Sequence, residues 1–391
     1  MQLRDVLRQI ESWYPPATAH SWDKVGLTVG DPTADVRTVL LAVDPAPAVV
    51  DEALAMDADL VVTHHPLLLR GVNSVAATGP KGRTVHRLIQ GGCALYTAHT
   101  NADVAPGGVN EAMAQALGLT DTTLLDVDDP APGDRPDKLV VLVPVPDAER
   151  VREAMADAGA GSIGEYDRAS FSSTGQGRFR PSAEADPHIG RAGVTETVEE
   201  VRIEVLVRRR DRTAVIAALL GAHPYEEVAY DLYELVQLPW RADRGIGRVG
   251  ELRTPLTLRD FTAHVAAALP ATQRGVAAGG DPDRMIRTVA LCSGAGDSLL
   301  DVARRTGADA YVTSDLRHHV ASEFLEHPGA PALLDVSHWA AEWTWLPVLA
   351  DRLTARLGDL DVRVSTVVTD PWTVHAASPS HPAARPHQEH S

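Results

Sequence analysis

The stretch RTVLLAVDPAPAVVDEALAMDADLVVTHHP, residues 37–66, contains two apolar runs separated by a segment with helical apolar spacing. The runs at 37–45 and 59–63 predict two buried strands, and the segment 47–58 predicts a helix between them. A strand, a helix and a second strand within about 30 residues form a βαβ unit, which favours a parallel sheet covered by helices. This stretch therefore predicts an α/β fold.

The same alternation of strands and helices extends over most of the chain. Further strands are predicted at 93–97, 285–292, 309–313, 332–336 and 361–368, with helices at 83–90, 108–117, 257–268, 297–306 and 338–355. A linker rich in Asp and Pro at 126–137 leads into a segment of different composition. This segment predicts strands at 138–144, 200–208 and 227–236, helices at 147–158 and 212–221, and a long polar loop at 172–197.

These elements predict a two-lobed α/β body interrupted by an α+β insertion. We expect the body to comprise residues 1–126 and 245–372, and the insertion to comprise residues 127–244. The last residues, 373–391, are rich in Pro, Ser, Ala and His and are predicted to form a disordered tail.

Composition limits the class of protein. The chain has 391 residues, of which 44% are hydrophobic, and 53 acidic against 36 basic residues give a formal charge of −17, which disfavours general nucleic-acid binding. The sequence has neither the run of about 20 apolar residues that spans a bilayer nor a signal-peptide core, so we expect a cytoplasmic protein without a membrane partner. Because its only cysteines are Cys93 and Cys292, any metal must be bound by histidines and carboxylates.

The first candidate ligands are the paired histidines of Thr63-His64-His65-Pro66, at the end of a predicted strand. Ligands of open α/β sheets bind at the carboxyl ends of strands. Successive residues of an extended chain point in opposite directions, and Pro66 favours an extended His65. We therefore expect the two imidazoles to diverge and to serve two different ions. A polar pair on an exposed turn is the alternative.

Two further predicted strand ends carry a histidine and a carboxylate. His99 and Asp103 lie in HTNAD, although Thr, Asn and Asp also favour helix or turn caps. His338 and Glu342 have an i, i+4 spacing that places both side chains on one helix face, although a solvated helix start has the same spacing. The recurrence at three strand ends favours a metal site with nitrogen and oxygen ligands, for which Zn²⁺, Mn²⁺, Fe²⁺ and Co²⁺ are all candidates.

Other polar segments admit two interpretations. Asp315, His318 and His319 follow another predicted strand and could be further ligands, proton-transfer groups or parts of a polar loop. The glycine-rich turn SGAGDS at 293–298 opens a helix and could receive an anion, but a tight structural turn is the simpler interpretation because no phosphate-loop Lys follows. HPYEE at 223–227 is interpreted as a structural turn of the insertion.

Taken together, these motifs resemble the GTP cyclohydrolase I type 2 homologues, a family also described as dinuclear-metal-centre hexameric proteins. The similarity extends from near residue 21 to residue 372. The segments that carry it are SWDKVGLTVGD, VLLAVD, DLVVTHHPLL, ALYTAHTNADVAPGGVNEAMA, CSGAGDS, DAYVTSDLRHH, LLDVSHWAAEW and VTDPW. The middle segment resembles the insertion of the longer bacterial members, which is similar to small trimeric PII-like (ferredoxin-like) domains.

The resemblance implies two divalent metal ions per chain and a homohexamer. The family's ligands correspond here to His64, His65, Asp103, His338 and Glu342. The family usually carries Gly at the positions of Ser314 and Ser337, so a positive φ at either position would strain a turn next to the site.

Two functions are consistent with these features. The first is a metal-dependent hydrolase acting on a nucleotide-like substrate, since the family name implies opening of the guanine imidazole ring of GTP by water attack at C8; His99 and His319 are the candidate proton-transfer groups. The alternative is a non-enzymatic metal-binding or metal-delivery assembly protein, or a sensor of a small molecule through the insertion. A mixed histidine and carboxylate set favours the enzyme because it can leave coordination positions open.

Overall fold

A computed structural model describes residues 1–127, 136–164, 166–235 and 244–376. Most of the predicted linker and the predicted tail beyond residue 376 lie outside the described residues. Tertiary contacts divide the chain into two compact units: a larger unit, Met1–Asp128 with Ala242–Ser391, and an inserted unit, Asp129–Arg241. No helix in the described ranges is long and apolar enough to cross a membrane.

The secondary structure alternates as the sequence predicts in most of the larger unit. The strands are β1 Gly26–Val29, β2 Thr38–Ala42, β3 Leu60–Thr63, β4 Ala94–Thr97, β5 Leu119–Val127, β6 Pro136–Pro144, β7 Ser170–Phe179, β8 Glu196–Arg208, β9 Tyr230–Glu234, β10 Gly245–Thr257, β11 Ala277–Gly279, β12 Met285–Ala295, β13 Ala310–Ser314, β14 Ala332–Val336 and β15 Asp361–Val364. The helices are α1 Leu3–Trp13, α2 Pro47–Ala55, α3 Pro80–Gln90, α4 Thr100–Val104, α5 Val109–Ala116, α6 Ala148–Asp157, α7 Arg212–Ala222, α8 Leu258–Ala268, α9 Leu300–Arg305, α10 His318–Leu325, α11 His338–Trp343 and α12 Trp345–Arg356.

Two sheets form the larger unit. One has the order β1-β4-β3-β2-β15, in which β15, β2, β3 and β4 are parallel and β1 is antiparallel. The other has the order β11-β14-β13-β12-β10-β5, in which β12, β13 and β14 are parallel and the other strands are antiparallel. The predicted α/β class with parallel βαβ units is therefore confirmed.

The two sheets share one hydrophobic core. It contains side chains from inner faces of both sheets, such as Val62 and Val312, and from helices between them, such as Trp345 of α12. Separate cores on the outer faces bury α2 and α3 against the first sheet and α9 and α10 against the second. This layering brings the carboxyl ends of parallel strands from both halves into one region of the unit.

The two halves of the larger unit, before and after the insertion, share one local feature: an Asp carboxylate accepts hydrogen bonds from two successive backbone N–H groups. The carboxylate of Asp59 accepts hydrogen bonds from the backbone N–H groups of Arg37 and Thr38, at 2.8 and 2.9 Å. In the second half Asp309 accepts from Arg287 and Thr288, both at 2.9 Å. The segments RTVLLAV and DADLVVT thus have structural counterparts in RTVALCS and GADAYVT, each 250 positions later.

The inserted unit is a four-stranded antiparallel sheet of order β7-β8-β6-β9. Helices α6 and α7 cover one face, where Leu139, Val141, Ile203 and Val205 form its core with the helices. The β-α-β-β-α-β order is that of a split β-α-β fold. Its PII-like character stays a prediction.

Three elements differ from their sequence predictions. The predicted loop 172–197 begins with the exposed edge strand β7, which pairs over its whole length with β8 although its sequence, SFSSTGQGRF, lacks apolar alternation. The predicted helix 338–355 is two helices, α11 and α12, separated at Thr344. Helix α10 was not predicted; a polar loop was one of the interpretations of the segment that contains His318 and His319.

Candidate metal centre

Four histidines from both halves of the larger unit converge at the carboxyl ends of parallel strands. His64 and His65 follow β3, His99 follows β4, and His338 opens α11 directly after β14. The Nε2 atoms of His65 and His338 lie 3.3 Å apart although these residues are 273 positions apart in the chain. The imidazole rings of His64 and His99 are 5.0 Å apart, centroid to centroid. Tertiary packing therefore assembles a single cluster.

Each of these imidazoles is held through its Nδ1 atom. Carbonyl and carboxylate oxygens only accept hydrogen bonds, so each Nδ1 carries a hydrogen and each Nε2 of a neutral ring presents a lone pair. The Nδ1 acceptors are Ala98 O for His64 at 3.0 Å, Asp44 for His65 at 2.7 Å, Asp23 for His99 at 2.9 Å, and Asp315 for His338 at 2.7 Å. Such outer partners fix the ring orientation and raise the basicity of metal-binding histidines.

The carboxylate of Glu342 lies at the centre of the cluster. Its Oε1 is 2.9 Å from His338 Nε2 and 3.4 Å from His64 Nε2, and its Oε2 is 3.0 Å from His65 Nε2. Asp103, carried by α4 one turn after His99, places its Oδ1 3.7 Å from His64 Nε2. Both carboxylates can therefore contact a cation that is also bound by a histidine.

The pKa shifts reflect how strongly this cluster attracts positive charge. Burial lowers the pKa of His338, but the charge of Glu342 and the hydrogen bond to Asp315 outweigh it and raise the pKa to about 10. The same competition raises the pKa values of His64 and His65. Burial would raise the pKa of Glu342, but the surrounding histidines hold it well below its usual range. Without a metal, the carboxylate of Glu342 therefore stays ionised, and protons bound to the surrounding histidines balance its charge.

The donors fit a divalent metal ion. His64, His65 and His99 form one group of ligand atoms within 4.8 Å of one another, and His65, His338 and Glu342 form a second. His64 Nε2 and Glu342 Oε2 are buried without a hydrogen-bond partner, and a bound cation would satisfy both atoms. Nitrogen and oxygen donors in this proportion suit Zn²⁺, Mn²⁺, Fe²⁺ and Co²⁺.

The structure brings together most of the residues selected from the sequence. The five residues matched to the family's ligands lie in the cluster, and His99 lies beside them. His319 does not join them: it is exposed at the start of α10, where its ring contacts that of His318 at 5.2 Å. The expected divergence of the His64 and His65 rings is wrong, because β3 ends at Thr63 and both rings then turn toward Glu342. That the two histidines serve different ions stays a prediction.

Three residues of the site have roles that the sequence analysis did not assign to them. Asp44 ends the first predicted strand and positions His65, while buried Asp23 binds both His99 and the hydroxyl of Thr100. The third is Gly294, whose φ is +70° and against which Glu342 packs. The only available signal for Asp44 was a carboxylate at a strand end, and nothing local identified its histidine.

The two serines at family glycine positions do not strain the turns. Neither has a positive φ; the left-handed conformation, with φ of 60°, falls instead on Asp315. Ser337 caps α11, where its side chain accepts a hydrogen bond from the N–H of Ala340 at 3.4 Å. Asp tolerates the left-handed region better than most residues, so the turn can present Asp315 to His338.

Replacing Gly294 with alanine should displace Glu342 and weaken metal binding. A Cβ at this position would lie 2.7 Å from Glu342 Oε1, and the positive φ adds strain. We expect metal affinity to fall by about 10–100-fold, as for loss of an outer positioning partner, measured by competition with a chromophoric chelator. Gly275→Ala is the control, because Gly275 has a φ of +64° but open space around its missing Cβ. Equal effects of both changes would mean that backbone strain alone is responsible.

The fold and the site define a two-sheet α/β protein with a histidine- and carboxylate-lined candidate metal centre. The chain belongs to the Duf34/NIF3 (NGG1p interacting factor 3) family, whose model matches residues 1–371. The resemblance found in the sequence motifs is thereby confirmed.

Individual relatives agree over nearly the full length. The chain is 49% identical over 376 residues to a GTP cyclohydrolase 1 type 2 homolog of Mycobacterium tuberculosis, covering 96% of this chain and 97% of that one. It is 38% identical over 374 residues to the homolog from Bacillus subtilis, covering 95% and 98%. Among solved structures, a Bacillus cereus protein related to NIF3 matches with a TM-score of 0.64 and 35% identity, over 96% of this chain and 99% of that one.

Proposed function

We propose that the protein binds two divalent metal ions per chain at the candidate metal centre and hydrolyses a nucleotide-like substrate there. The observation that carries the proposal is the pair of ligand groups that share His65, with the carboxylate of Glu342 between them. One shared imidazole cannot ligate two ions through one nitrogen, so each ion would need further donors, which the carboxylates of Glu342 and Asp103 offer. His64 and Asp103 would hold one ion, and His65 and His338 the other.

Divalent ions in such a site activate water and neutralise negative charge that develops during hydrolysis. Among the protein's own groups, His99 is the candidate for proton transfer. Asp23 accepts a hydrogen bond from its Nδ1 and orients the ring, which leaves Nε2 to accept or return a proton. The ring of His99 lies 5.6 Å from that of His65, close enough to serve a substrate bound at the cluster or to act as a further ligand.

A cavity next to the cluster supports a nucleotide-like substrate. It has a volume of about 240 Å³ and is lined by His65 and His338 together with Arg274 and Trp372. The Trp372 side chain is 58% exposed and offers a face for a planar base, while Arg274, paired with Asp335, offers a guanidinium. The names of the relatives, GTP cyclohydrolase 1 type 2 homologs, point to the same substrate class.

The proposed hydrolysis is tested by incubating metal-loaded protein with a panel of nucleotides and identifying products by mass spectrometry. We expect turnover of at least one nucleotide, lost in Glu342→Ala and strongly reduced in His99→Gln. His319→Gln is compared with them, because His319 remains a predicted proton-transfer group although it lies away from the cluster. Full metal content without turnover of any nucleotide would favour the non-enzymatic alternative, a metal-binding or metal-delivery protein.

The inserted unit should be dispensable for metal binding, since all proposed ligands lie in the larger unit. Val127 of β5 and Gly245 of β10 are register partners in an antiparallel ladder, so the insertion occupies the place of a hairpin loop. A variant in which a short Asn-Gly turn joins these residues should fold and keep its metal. Metal content is measured by elemental analysis; a folded but metal-free variant would show that the insertion supplies a ligand.

We also propose that the protein assembles as a homohexamer, as the family resemblance implies. A formal charge of −17 per chain creates repulsion between subunits, which salt screens over about 8–10 Å. The hexamer should therefore be more stable at moderate than at low ionic strength. Light scattering with and without chelator at both salt concentrations measures this, and a monomer under all four conditions would contradict the assembly.

A further inference from the structure

The inserted unit contains a pocket of about 400 Å³ that is independent of the metal centre. It lies on the sheet beside Gly177 and Phe179 of β7 and Glu200 of β8, and the segments around His188 and Tyr225 complete its lining. A volume of this size is typical of small-molecule sites. The core side chains that pack against α6 and α7, such as Ile203 and Val205, are not among its lining.

A buried carboxylate forms part of the pocket lining. Glu200 is only 6% exposed, and its Oε1 accepts a hydrogen bond from the Tyr225 hydroxyl at 3.1 Å. Its other oxygen lies over Gly177, where a Cβ would be 2.0 Å away, so the glycine makes room for the carboxylate. Among the described residues, Glu200 forms no salt bridge. A buried carboxylate with one hydroxyl partner retains acceptor capacity for a ligand.

Aromatic rings form the wall around this carboxylate. Phe179 and Tyr225 pack edge to face with centroids 5.7 Å apart, and the ring of His188 lies 6.3 Å from Tyr225. His223 fixes Tyr225 from behind: its Nδ1 accepts from the Tyr225 N–H at 3.1 Å, and its Nε2 donates to Leu142 O at 3.0 Å. The predicted structural turn HPYEE therefore also positions a wall of the pocket.

We propose that this pocket binds a small aromatic molecule that presents N–H donors to Glu200. The aromatic wall selects a planar ring. Arg178 and Arg180 also line the pocket, but both are exposed and donate to Gln176 Oε1 and to the Gly193 carbonyl. Glu200 is the buried one among the charged side chains of the lining, so it selects a cationic amidine or amine, or the N–H edge of a nucleobase, over an anion. The same carboxylate disfavours ligands whose polar edge only accepts hydrogen bonds. The inserted unit thus carries a ligand site of its own.

Benzamidine, benzamide and benzoate test this chemistry, since they share one ring and differ in donors and charge. Titrations of the full chain, monitored by saturation-transfer NMR, should show affinity decreasing from benzamidine to benzamide to benzoate. Acetamidine, which lacks the ring, should bind about tenfold or more weakly than benzamidine. Guanosine is uncharged but carries adjacent N–H donors on its base. Its binding would therefore indicate a nucleobase ligand, and binding of benzamidine without guanosine would indicate a cationic one.

Glu200→Gln should weaken benzamidine binding about tenfold or more and abolish its advantage over benzamide, because the ring wall and the acceptor for Tyr225 are retained. Glu227→Gln is the matched control, as Glu227 also lines the pocket but is exposed. Glu342→Gln should leave benzamidine binding unchanged, which separates this site from the metal centre. If Glu200→Gln does not fold, Phe179→Leu provides a second test. This variant should lose the selectivity for benzamidine over acetamidine.

Two results would overturn the proposal. One is benzamidine binding no tighter than benzoate at concentrations up to about 10 mM. The other is benzamidine affinity that is unchanged in both folded Glu200→Gln and Phe179→Leu proteins.

Discussion

Replacing Glu342 with glutamine should remove most of the bound metal. The two oxygens of this buried carboxylate face three imidazoles, at distances between 2.9 and 3.4 Å, and no other side chain contacts all three among the described residues. Glutamine preserves the size of the side chain but lacks its negative charge. Loss of an outer partner typically lowers metal affinity about 10–100-fold, and we expect a larger loss here. Elemental analysis after purification without chelator should show about two ions in the native chain and less than one in the variant.

The control for this prediction is Glu226→Gln, which alters an exposed carboxylate in the inserted unit. Asp103→Asn should also reduce metal content, since its Oδ1 lies near His64 Nε2. A native protein that reproducibly holds one ion or none, even after metal addition, would contradict the dinuclear proposal. An unchanged content in Glu342→Gln would contradict the assigned role of Glu342.

The thermal stability of the metal-free protein should fall as pH rises, whereas that of the metal-loaded protein should not. In the metal-free protein the pKa values of His64, His65 and His338 are raised above the unfolded value near 6.5, to about 10 for His338. A raised histidine pKa adds stability that is complete below pH 6.5 and is lost as pH rises toward the folded value. Metal ions compete with these protons, so their stabilising effect grows over the same pH range.

Melting temperatures measured between pH 6.5 and 9 test this prediction. The metal-free protein should melt at progressively lower temperature, and the metal-loaded protein should not. The shift should be at most about 2–4 °C for each kcal/mol lost, because the larger unit exceeds the roughly 150–250 residues to which that range applies. Glu342 titrates well below this range because its pKa is lowered, so it does not reverse the sign. Parallel curves for the two forms would indicate that the histidines do not exchange protons for metal.

The fold was predicted correctly where a buried element has a recognisable pattern of apolar residues in its own sequence. The strand β3 is buried along its length and its sequence is a continuous apolar run, so the strand itself follows from composition. The edge strand β7 could not be recognised in this way, because it is exposed and is stabilised by its ladder with β8 rather than by its own side chains. The break at Thr344 was missed because apolar spacing continues from α11 into α12.

The prediction of the candidate site was partial for a related reason. The i, i+4 spacing correctly predicted that His338 and Glu342 lie together, because helical geometry places residues four positions apart on the same face. The pairing of His65 with Asp44, and of His338 with Asp315, depends on which strand ends meet, and local patterns do not encode it. His319 was selected because of its neighbourhood in sequence, but α10 directs it to solvent.

The sequence by itself therefore determined the α/β class, the nitrogen and oxygen chemistry of the candidate ligands, and the strand ends that carry them. These properties depend on residue type and on periodicity over a few residues, which secondary structure converts directly into geometry. Only the tertiary structure decided that His65 and His338, 273 positions apart, place their Nε2 atoms 3.3 Å from each other around Glu342. That convergence arises from the packing of two sheets on one core, an interaction between distant segments that no local pattern specifies.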